Sequence, residues 1–392
     1  MRLPTVAIRH ATAALEPDGK TIRFRITLDA DTDASGRVRI PALGIDTTVT
    51  IVRGQGECTA QFKGDAWSPD NPVCYDVIYE AGGDAFRDRV GFRTIATSGT
   101  DILLNGVKIW LKGVCVHEDD RALGKVSTEA DVRRRFRHLK ELGANFARLS
   151  HYPHHEHVAR IADEEGILLW AEVPVYWAIA FDDADTLADA ENQLSELITR
   201  DINRASIILW GVGNENADTD ARLAFMSRLA TRARSLDPTR LVSAACLINR
   251  ETFTIEDRLA AHLDVIGINE YFGWYEPDFS SLDRLLANSD PDRPVIISET
   301  GADALAGHRS AGRVLFTEDW QAEFYRQQMR RITATPYIAG IAAWLLYDYR
   351  TERRQTGFQR GWNRKGLIAE DKETKKLAFS ALAEQFAAFG AN

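Results

Sequence analysis

The chain has 392 residues, of which 45% are hydrophobic and 27% are charged. This length and composition fit one large globular domain, or a barrel with a small companion, and they exclude a disordered chain. The formal net charge of -9 disfavours nucleic acid and anionic membrane as partners, because an acidic surface repels both.

Cysteine usage and the first residues of the chain indicate the compartment. The four cysteines, Cys58, Cys74, Cys115 and Cys246, include no C-x-x-C pair, which excludes zinc-ribbon and thioredoxin-like sites. Four cysteines could form too few disulfides to stabilise a chain of this size. We therefore expect them to be reduced and buried, as in a cytosolic protein. The start, MRLPTVAIRH, holds no apolar run of signal-peptide length, and no other window is apolar enough to cross a bilayer. We therefore expect a cytoplasmic protein without a membrane segment.

Residues 1–98 are predicted to form a small β-sandwich. Over Thr21–Leu28, apolar residues alternate with arginine and threonine, which is the period of a strand with one buried face. Glycine-rich turns separate further short runs, and several short strands at this spacing are typical of a sandwich. These runs are Val38–Ile40, Val49–Val52, Cys58–Phe62, Cys74–Tyr79 and Arg87–Thr97.

Residues 99–392 are predicted to form a (β/α)8 TIM barrel, which is an α/β fold. From about Leu103, continuous apolar runs alternate with helical segments, as expected for parallel strands buried on both faces. Eight such runs, each followed by a helix, fill a segment close to the usual barrel length of about 250 residues. The runs are Lys112–His117, Asn145–Ser150, Ile167–Glu172, Ile207–Asn214, Leu241–Cys246, Val265–Glu270, Val295–Glu299 and Ile341–Asp348. A doubly wound open sheet is the alternative fold. No G-x-G-x-x-G opens a helix, however, and we predict no cofactor.

Capping signals support the helices of this segment. Thr128 and Asp131 form an acidic variant of the capping box at the start of Glu129–Leu142. Gly143 follows at the place of a C-terminal cap, and the next predicted helix, His157–Glu165, also ends at a glycine.

Polar side chains at the strand ends suggest the chemistry, because the active site of such a barrel lies at the carboxyl ends of its strands. Amides, carboxylates and aromatic groups follow the apolar runs, and this set suits a sugar. Glycoside hydrolysis needs two carboxyl groups, one to protonate the leaving oxygen and one to attack or to activate water. Glu215 and Glu299 are the natural pair, since each directly follows a strongly apolar strand. Taken singly, Glu172, Glu270 and Asp348 are expected to be salt-bridged scaffold residues or groups behind the site.

Seven short motifs occur in a fixed order from Trp67 onwards. They are Trp67–Pro72, Asp88–Arg93, Asn105–Gly106, Leu111–Glu118, Arg148–Pro153, Trp210–Glu215 and Ile297–Glu299. Together they resemble glycoside hydrolase family 2, and more closely its β-glucuronidase branch. The resemblance implies an immunoglobulin-like sandwich before the barrel, and a retaining hydrolase that works by double displacement.

The resemblance also implies a jelly-roll sugar-binding domain ahead of the sandwich, whereas this chain starts with the sandwich. We expect one of two consequences. The open side of the pocket admits larger substrates, or it is closed by a partner chain or a second copy in a homo-oligomer.

Individual residues receive roles from the resemblance. Glu215 would be the acid/base, protonated at rest, and Glu299 the nucleophile, ionised at rest, with the two carboxyl groups about 5 Å apart. Asn214 would hold the 2-hydroxyl of the sugar, and Tyr271 would donate to the nucleophile. The residues that would shape the sugar subsite are Asn269, Tyr275, His117, His151 and Trp344.

The choice of sugar depends on Asn363 and Lys365, which resemble the Asn-x-Lys element by which β-glucuronidases hold the C6 carboxylate. Lys365 would place a compact positive charge there, and Asn363 would add a donor. The stretch Ser298–Gly307 is glucuronidase-like as well. The alternative is a solvated basic loop, because residues 353–364 hold four arginines.

Terminal β-glucuronides, as carbohydrates or glycoconjugates, are therefore the predicted substrates. β-Galactosides, β-galacturonides and β-mannosides are alternatives with the same mechanism. Negative charge from Glu270 and from Asp182–Asp185 is expected near the mouth, where it would oppose a uronate.

The sequence gives less support to three other functions. A non-catalytic carbohydrate-binding protein is suggested by the missing domain and disfavoured because both carboxylates and their partners are present. The four histidines of His151–His157 suggest a metal, but Pro153 interrupts the segment and no third ligand is evident, so no metal site is predicted. The arginines of Arg133–Arg137 lack interleaved aromatic residues, which disfavours nucleic acid.

Overall fold

The computed structural model describes residues 6–276 and 278–389. An antiparallel β unit comes first, and a closed barrel of eight parallel strands follows it. This confirms the predicted fold class, a (β/α)8 barrel preceded by a small β domain. No helix within the described residues is long and apolar enough to cross a bilayer.

The first unit is built on one seven-stranded antiparallel sheet. Its strands are β1 (Ile8–Leu15), β2 (Thr21–Leu28), β3 (Ala34–Ile40), β4 (Ile45–Val52), β5 (Gln55–Gln61), β6 (Tyr75–Ala81) and β7 (Asp84–Val90), with a short 3-10 helix at Pro41–Leu43. Their order in space is β1-β2-β5-β4-β3-β6-β7, and the outer strands β1 and β7 lie against each other. The sheet therefore nearly closes around its own core.

A three-stranded antiparallel sheet joins the two units. It consists of β8 (Ile95–Ser98), β9 (Asp101–Leu104) and β10 (Val107–Ile109). The predicted domain boundary between residues 98 and 99 falls in the turn between β8 and β9, and it stays a prediction.

The prediction of one strand over Arg87–Thr97 was wrong. The chain leaves the large sheet after β7, because at Gly91 the backbone packs against Trp67 and Ala205 with no room for a side chain. Arg93 then turns into the barrel, and β8 begins in a different sheet.

The barrel unit alternates strands and helices along the chain. Its elements are β11 (Leu111–Val116), α1 (Glu129–Glu141), β12 (Phe146–Leu149), α2 (Glu156–Glu165), β13 (Leu168–Glu172), α3 (Ala184–Asp201), β14 (Ile207–Asn214), α4 (Asp220–Leu236), β15 (Leu241–Cys246), β16 (Ile248–Asn249), β17 (Thr254–Ile255), a 3-10 helix (Arg258–His262), β18 (Val265–Asn269), α5 (Ser280–Asn288), β19 (Val295–Thr300), α6 (Glu318–Ile332), β20 (Ile338–Ala343), β21 (Tyr349–Arg350), β22 (Trp362–Asn363) and α7 (Leu377–Phe389). The barrel closes in the order β11-β12-β13-β14-β15-β18-β19-β20, and β20 pairs with β11.

All eight predicted runs contribute a barrel strand, with two corrections. The last strand is Ile338–Ala343, so the predicted Ile341–Asp348 began too late and continued too far. The fifth strand is followed by the 3-10 helix Arg258–His262 rather than by an α-helix. The capping box of Thr128 and Asp131 is present as predicted.

The β unit packs against the amino end of the barrel. The Trp67 indole Nε1 donates to the Asp163 carbonyl at 2.8 Å, and Arg93 donates to the carbonyls of Ala205, Ile207 and Thr239. The carboxyl ends of the strands lie on the opposite side, where the loops form a cavity.

Candidate active site

All eleven predicted site residues line one cavity of about 960 Å³ at the carboxyl ends of the barrel strands. They are His117, His151, Asn214, Glu215, Asn269, Tyr271, Tyr275, Glu299, Trp344, Asn363 and Lys365. The fold thus brings together side chains from strands and loops spread over about 250 residues of the chain, as expected for such a barrel. Their chemical roles stay predictions.

Arg148, on β12, is the centre of the site and is fully buried. Its Nη1 donates to Glu299 Oε1 at 3.0 Å, its Nη2 to Asn214 Oδ1 at 2.7 Å, and its Nε to Glu172 Oε2 at 3.1 Å. Burial lowers the pKa of Arg148, but Glu172 and Glu299 outweigh it and keep the pKa above its ordinary value. One permanent cation therefore fixes the positions of Glu299 and Asn214 together. Sequence reasoning placed Arg148 in a motif but missed its role, although an arginine inside an apolar strand was the available signal.

Glu299, on β19, is held at both carboxyl oxygens. The Tyr271 hydroxyl donates to Oε2 at 2.7 Å, and His151 Nε2 lies 3.4 Å from Oε1, which also accepts from Arg148. Burial raises the pKa of Glu299, while His151, Arg148 and Tyr271 oppose that rise. The prediction that this carboxyl group is ionised at rest stays a prediction. These contacts leave the Glu299 carboxyl group little freedom to rotate.

Glu215 follows β14 and has an unusual backbone conformation. Its φ is +51°, and the φ of Trp177, whose Nε1 donates to Glu215 Oε2 at 2.9 Å, is +57°. Non-glycine residues are uncommon in this left-handed region, and strained backbones gather at functional sites. The backbone of Trp177 is held there by the Asn214 carbonyl, at 2.9 Å, and by the Asn216 side chain, at 3.0 Å.

Trp177 was missed by sequence reasoning. It lies in the loop after β13, and neither a helical nor a strand period can place a loop residue. The only signal was an aromatic pair, Tyr176 and Trp177, a few residues beyond a predicted strand end.

The side-chain amide of Asn214 is oriented by its neighbours. Its Oδ1 accepts from Arg148 and from Asn269 Nδ2, the latter at 3.0 Å. The Asn269 Oδ1 in turn accepts from the Ser298 hydroxyl at 2.7 Å. Because the Asn214 oxygen is used twice by protein donors, its NH₂ group remains to donate to a ligand.

One wall of the cavity is aromatic. His151 stacks on Trp344 with ring centres 5.3 Å apart, and His117 lies 4.4 Å from the ring centre of Tyr349. Burial lowers the pKa of His117 well below its ordinary value. Such a wall can pack against the C–H face of a sugar ring.

The part of the cavity wall next to Tyr349 carries a buried cation. Lys365 Nζ donates to Asp303 Oδ2 at 2.7 Å and to the Tyr275 hydroxyl at 3.2 Å, and the Asn363 side chain accepts from the Lys365 backbone N–H at 3.1 Å. Burial raises the pKa of Asp303, but Lys365 outweighs it and brings the pKa below the ordinary value. The alternative of a solvated loop does not hold for Lys365, which is buried and lines the cavity.

The expectation that Glu270 adds negative charge at the mouth was wrong. Glu270 is fully buried behind the barrel wall, where its Oε2 accepts from the Phe272 N–H at 2.9 Å and from Gln328 at 3.3 Å. Successive residues of an extended chain point to opposite faces, so Glu270 points away when Asn269 faces the cavity. Burial raises the pKa of Glu270 to about 7.

Two other carboxylates behave as scaffold groups. Glu172 lies 2.7 Å from His151 Nδ1 and also binds Arg148. Asp348 accepts from Lys376 Nζ at 2.7 Å, outside the cavity.

Within residues 6–276 and 278–389, no group of three His, Cys, Asp or Glu side chains is placed to hold a metal ion. The histidines of the predicted cluster have separate contacts. His154 Nε2 lies 3.2 Å from the Ser150 carbonyl, and His155 caps α2.

Known proteins resemble this chain over most of its length. The TIM barrel domain model of glycosyl hydrolases family 2 matches residues 95–388. A β-glucuronidase of Paenibacillus borealis is 32% identical over 371 residues, which are 88% of this chain and 61% of that protein. The human β-glucuronidase is 30% identical over 314 residues, which are 76% of this chain and 46% of that protein. The chain therefore spans about half to three-fifths of the length of these relatives.

Solved structures show the same similarity. A β-galacturonidase from Eisenbergiella tayi, bound to galacturonate, has a TM-score of 0.87 at 28% identity, covering 98% of this chain and 73% of that one. A β-glucuronidase from Ruminococcus gnavus, in complex with C6-substituted uronic isofagomine, has a TM-score of 0.86 at 25% identity, covering 98% and 69%. The chain belongs to glycosyl hydrolase family 2.

Proposed function

We propose that this protein is a retaining glycoside hydrolase that removes terminal β-linked uronic acids, foremost β-glucuronides. The observation that carries this proposal is one cavity lined by two carboxyl groups, Glu215 and Glu299, and by the buried cation Lys365. Relatives named β-glucuronidase support the same reaction.

The geometry suits a double displacement. Glu299, anchored by Arg148 and Tyr271, attacks the anomeric carbon while Glu215 gives its proton to the leaving oxygen. A covalent bond then joins the sugar to Glu299. Glu215 next takes a proton from a water molecule, whose oxygen attacks the anomeric carbon and releases Glu299. The NH₂ group of Asn214 is available for the 2-hydroxyl, where hydrogen bonds strengthen in the transition state.

The uronate preference rests on Lys365 and Asn363. A buried lysine at a cavity wall favours an anionic sugar, because a carboxylate would add a charged acceptor beside Asp303 and Tyr275, whereas a neutral sugar would not. This argument disfavours β-galactosides and β-mannosides. β-Galacturonides are a second candidate, supported by the similarity to a structure described as bound to galacturonate. The anchored carboxyl pair disfavours a purely carbohydrate-binding role.

We also propose that residues 1–98 form an immunoglobulin-like sandwich ahead of a catalytic domain at 99–392, supported by the antiparallel sheet and the family resemblance. The four cysteines form no disulfide, which supports a cytoplasmic location. Cell fractionation tests the location.

Initial rates on 4-nitrophenyl β-glycosides at neutral pH test the proposed function. The panel holds the glucuronide, galacturonide, galactoside, glucoside and mannoside. We expect a uronide to be the best substrate, and Glu215→Gln or Glu299→Gln to abolish its turnover. Turnover of neutral sugars alone would remove the uronate assignment, and activity that survives both substitutions would identify a contaminant.

A further inference from the structure

A basic loop crosses the mouth of the cavity. Residues 351–361 connect β21 to β22 and hold three arginines and one glutamate. The loop is closed by two backbone hydrogen bonds, from Thr351 N to the Gly361 carbonyl at 2.9 Å and from Gly361 N to the Arg354 carbonyl at 2.6 Å. Two of its arginines, Arg353 and Arg354, line the cavity.

Both arginines are positioned by aromatic side chains of the cavity. The Arg353 guanidinium lies 4.5 Å from the ring centre of Trp177, and Arg354 Nη2 donates to the Tyr275 hydroxyl at 2.8 Å. Neither forms an ion pair with a carboxylate within residues 6–276 and 278–389. Arg353 therefore presents a positive charge at the mouth that has no carboxylate partner among the described residues.

The contact with Trp177 places Arg353 on the leaving-group side. Trp177 binds Glu215, which must reach the leaving oxygen, so side chains on the outer side of Glu215 face the group that departs. Tyr176 and Trp177 are 38% and 44% exposed there and lie edge to face, so each offers an aromatic surface to a second sugar ring. Lys365 is compensated by Asp303 and, in the proposed function, serves the sugar that is removed.

We propose that Arg353 binds the carboxylate of a second uronic acid, to which the terminal uronic acid is linked, whereas Arg354 shares the Tyr275 hydroxyl with Lys365 and lies on the side of the terminal sugar. The inference rests on the proposed function and names its substrate class, an acidic oligosaccharide. A guanidinium group matches a carboxylate in a bidentate geometry, and an exposed ring of Tyr176 or Trp177 can pack against the same sugar.

Two disaccharides with the same β-uronosyl group and linkage test this proposal. One ends in glucuronic acid and the other in glucose, so both leaving groups are sugar hydroxyls and only the charge differs. We expect the protein to have a higher kcat/KM on the acidic disaccharide, measured by chromatography of the released sugars. Arg353→Gln lowers the ratio of acidic to neutral kcat/KM about fivefold, the effect of about 1 kcal/mol for an exposed ion pair. Added salt lowers this ratio in the unchanged protein.

Arg360→Gln is the matched control, since it makes the same charge change in the same loop but outside the cavity. It should leave the ratio unchanged. The proposal is overturned if the ratio of acidic to neutral kcat/KM is the same in Arg353→Gln as in the original protein. It is also overturned if Arg360→Gln lowers this ratio as much as Arg353→Gln does. If no uronide of any kind is cleaved, the proposed function fails instead. Calorimetric titration with the diuronic acid then decides: weaker binding to Arg353→Gln supports the acidic site, and equal or absent binding overturns it.

Discussion

Arg148 is the side chain on which most of the site depends. It joins Glu299 to Asn214 and Glu172 through three hydrogen bonds shorter than 3.2 Å, so it couples the candidate nucleophile to the amide expected to bind the sugar. A planar, five-donor group is needed to reach three partners in different directions, and an ammonium group cannot replace it.

We therefore expect Arg148→Lys to lower kcat about a hundredfold, because small displacements of reacting groups have effects of this size. Initial rates on the preferred uronide measure the loss, and circular dichroism checks that the variant folds. Arg133→Lys is the control, since Arg133 pairs with Glu164 on the surface. Equal rates for the two lysine variants would show that Arg148 contributes charge alone.

Glu270 makes stability depend on pH. Burial raises its pKa to about 7, above the ordinary 4.5, so the folded protein holds this proton more tightly than the unfolded chain. The contribution is fully present below the unfolded pKa, falls as pH rises from about 4.5 to about 7, and is constant above that range.

Glu270→Gln should remove this dependence. Relative to the original protein, we expect the variant to gain about 3 kcal/mol in the free energy of unfolding between about pH 5 and about pH 8. Urea unfolding of both proteins at the two pH values measures the gain. A difference between them that stays constant with pH would contradict the account.

Close packing between the barrel strands at the base of the site holds the site residues in position. Gly211, on β14, packs against the Trp170 indole and Glu172, and an added Cβ would lie 2.5 Å from the Glu172 Cβ. Glu172 binds both Arg148 and His151, which contact Glu299. A displacement of Glu172 would therefore displace Glu299 as well.

Gly211→Ala should destabilise the fold by about 1–3 kcal/mol through overpacking, and it should also lower kcat. Thermal unfolding and initial rates measure the two effects. Gly357→Ala is the matched control, because an added Cβ at Gly357 meets nothing within 4 Å. If both variants behave alike, close packing at the base of the site is not what fixes Glu172.

The elements were predictable to different degrees. The eight barrel strands could be found because each is a continuous apolar run buried on both faces. β1 (Ile8–Leu15) was not predicted, since its buried face is formed partly by the small residues Ala11 and Ala13. The site residues at strand ends could be predicted, because the active site of such a barrel lies at the carboxyl ends of its strands. The position of Trp177 could not, because it depends on a left-handed loop conformation that no periodicity encodes.

The two units of the molecule form a continuous packing interface at the amino end of the barrel. Trp67 is fully buried between the units, beside barrel residues such as Ala205 and Leu209, and Arg204 forms an ion pair with Asp88. The site lies at the other end of the barrel, so the interface supports it without taking part in chemistry.

Trp67→Ala should therefore cost about 3–5 kcal/mol of stability, the usual effect of removing a buried aromatic side chain. Scanning calorimetry should show one transition at a lower Tm, while KM below that temperature stays as in the original protein. Two separate transitions in the original protein would mean that the units unfold independently.

The central claim is that Glu299 becomes covalently bound to a uronic acid during turnover. A 2-deoxy-2-fluoro β-uronosyl fluoride of the preferred sugar slows release of such an intermediate, and mass spectrometry of the digested protein locates the added mass. We predict one added uronosyl group on the peptide that contains Glu299, and none in Glu299→Gln. An adduct on Glu215, or turnover of the preferred uronide without any adduct, would contradict the account.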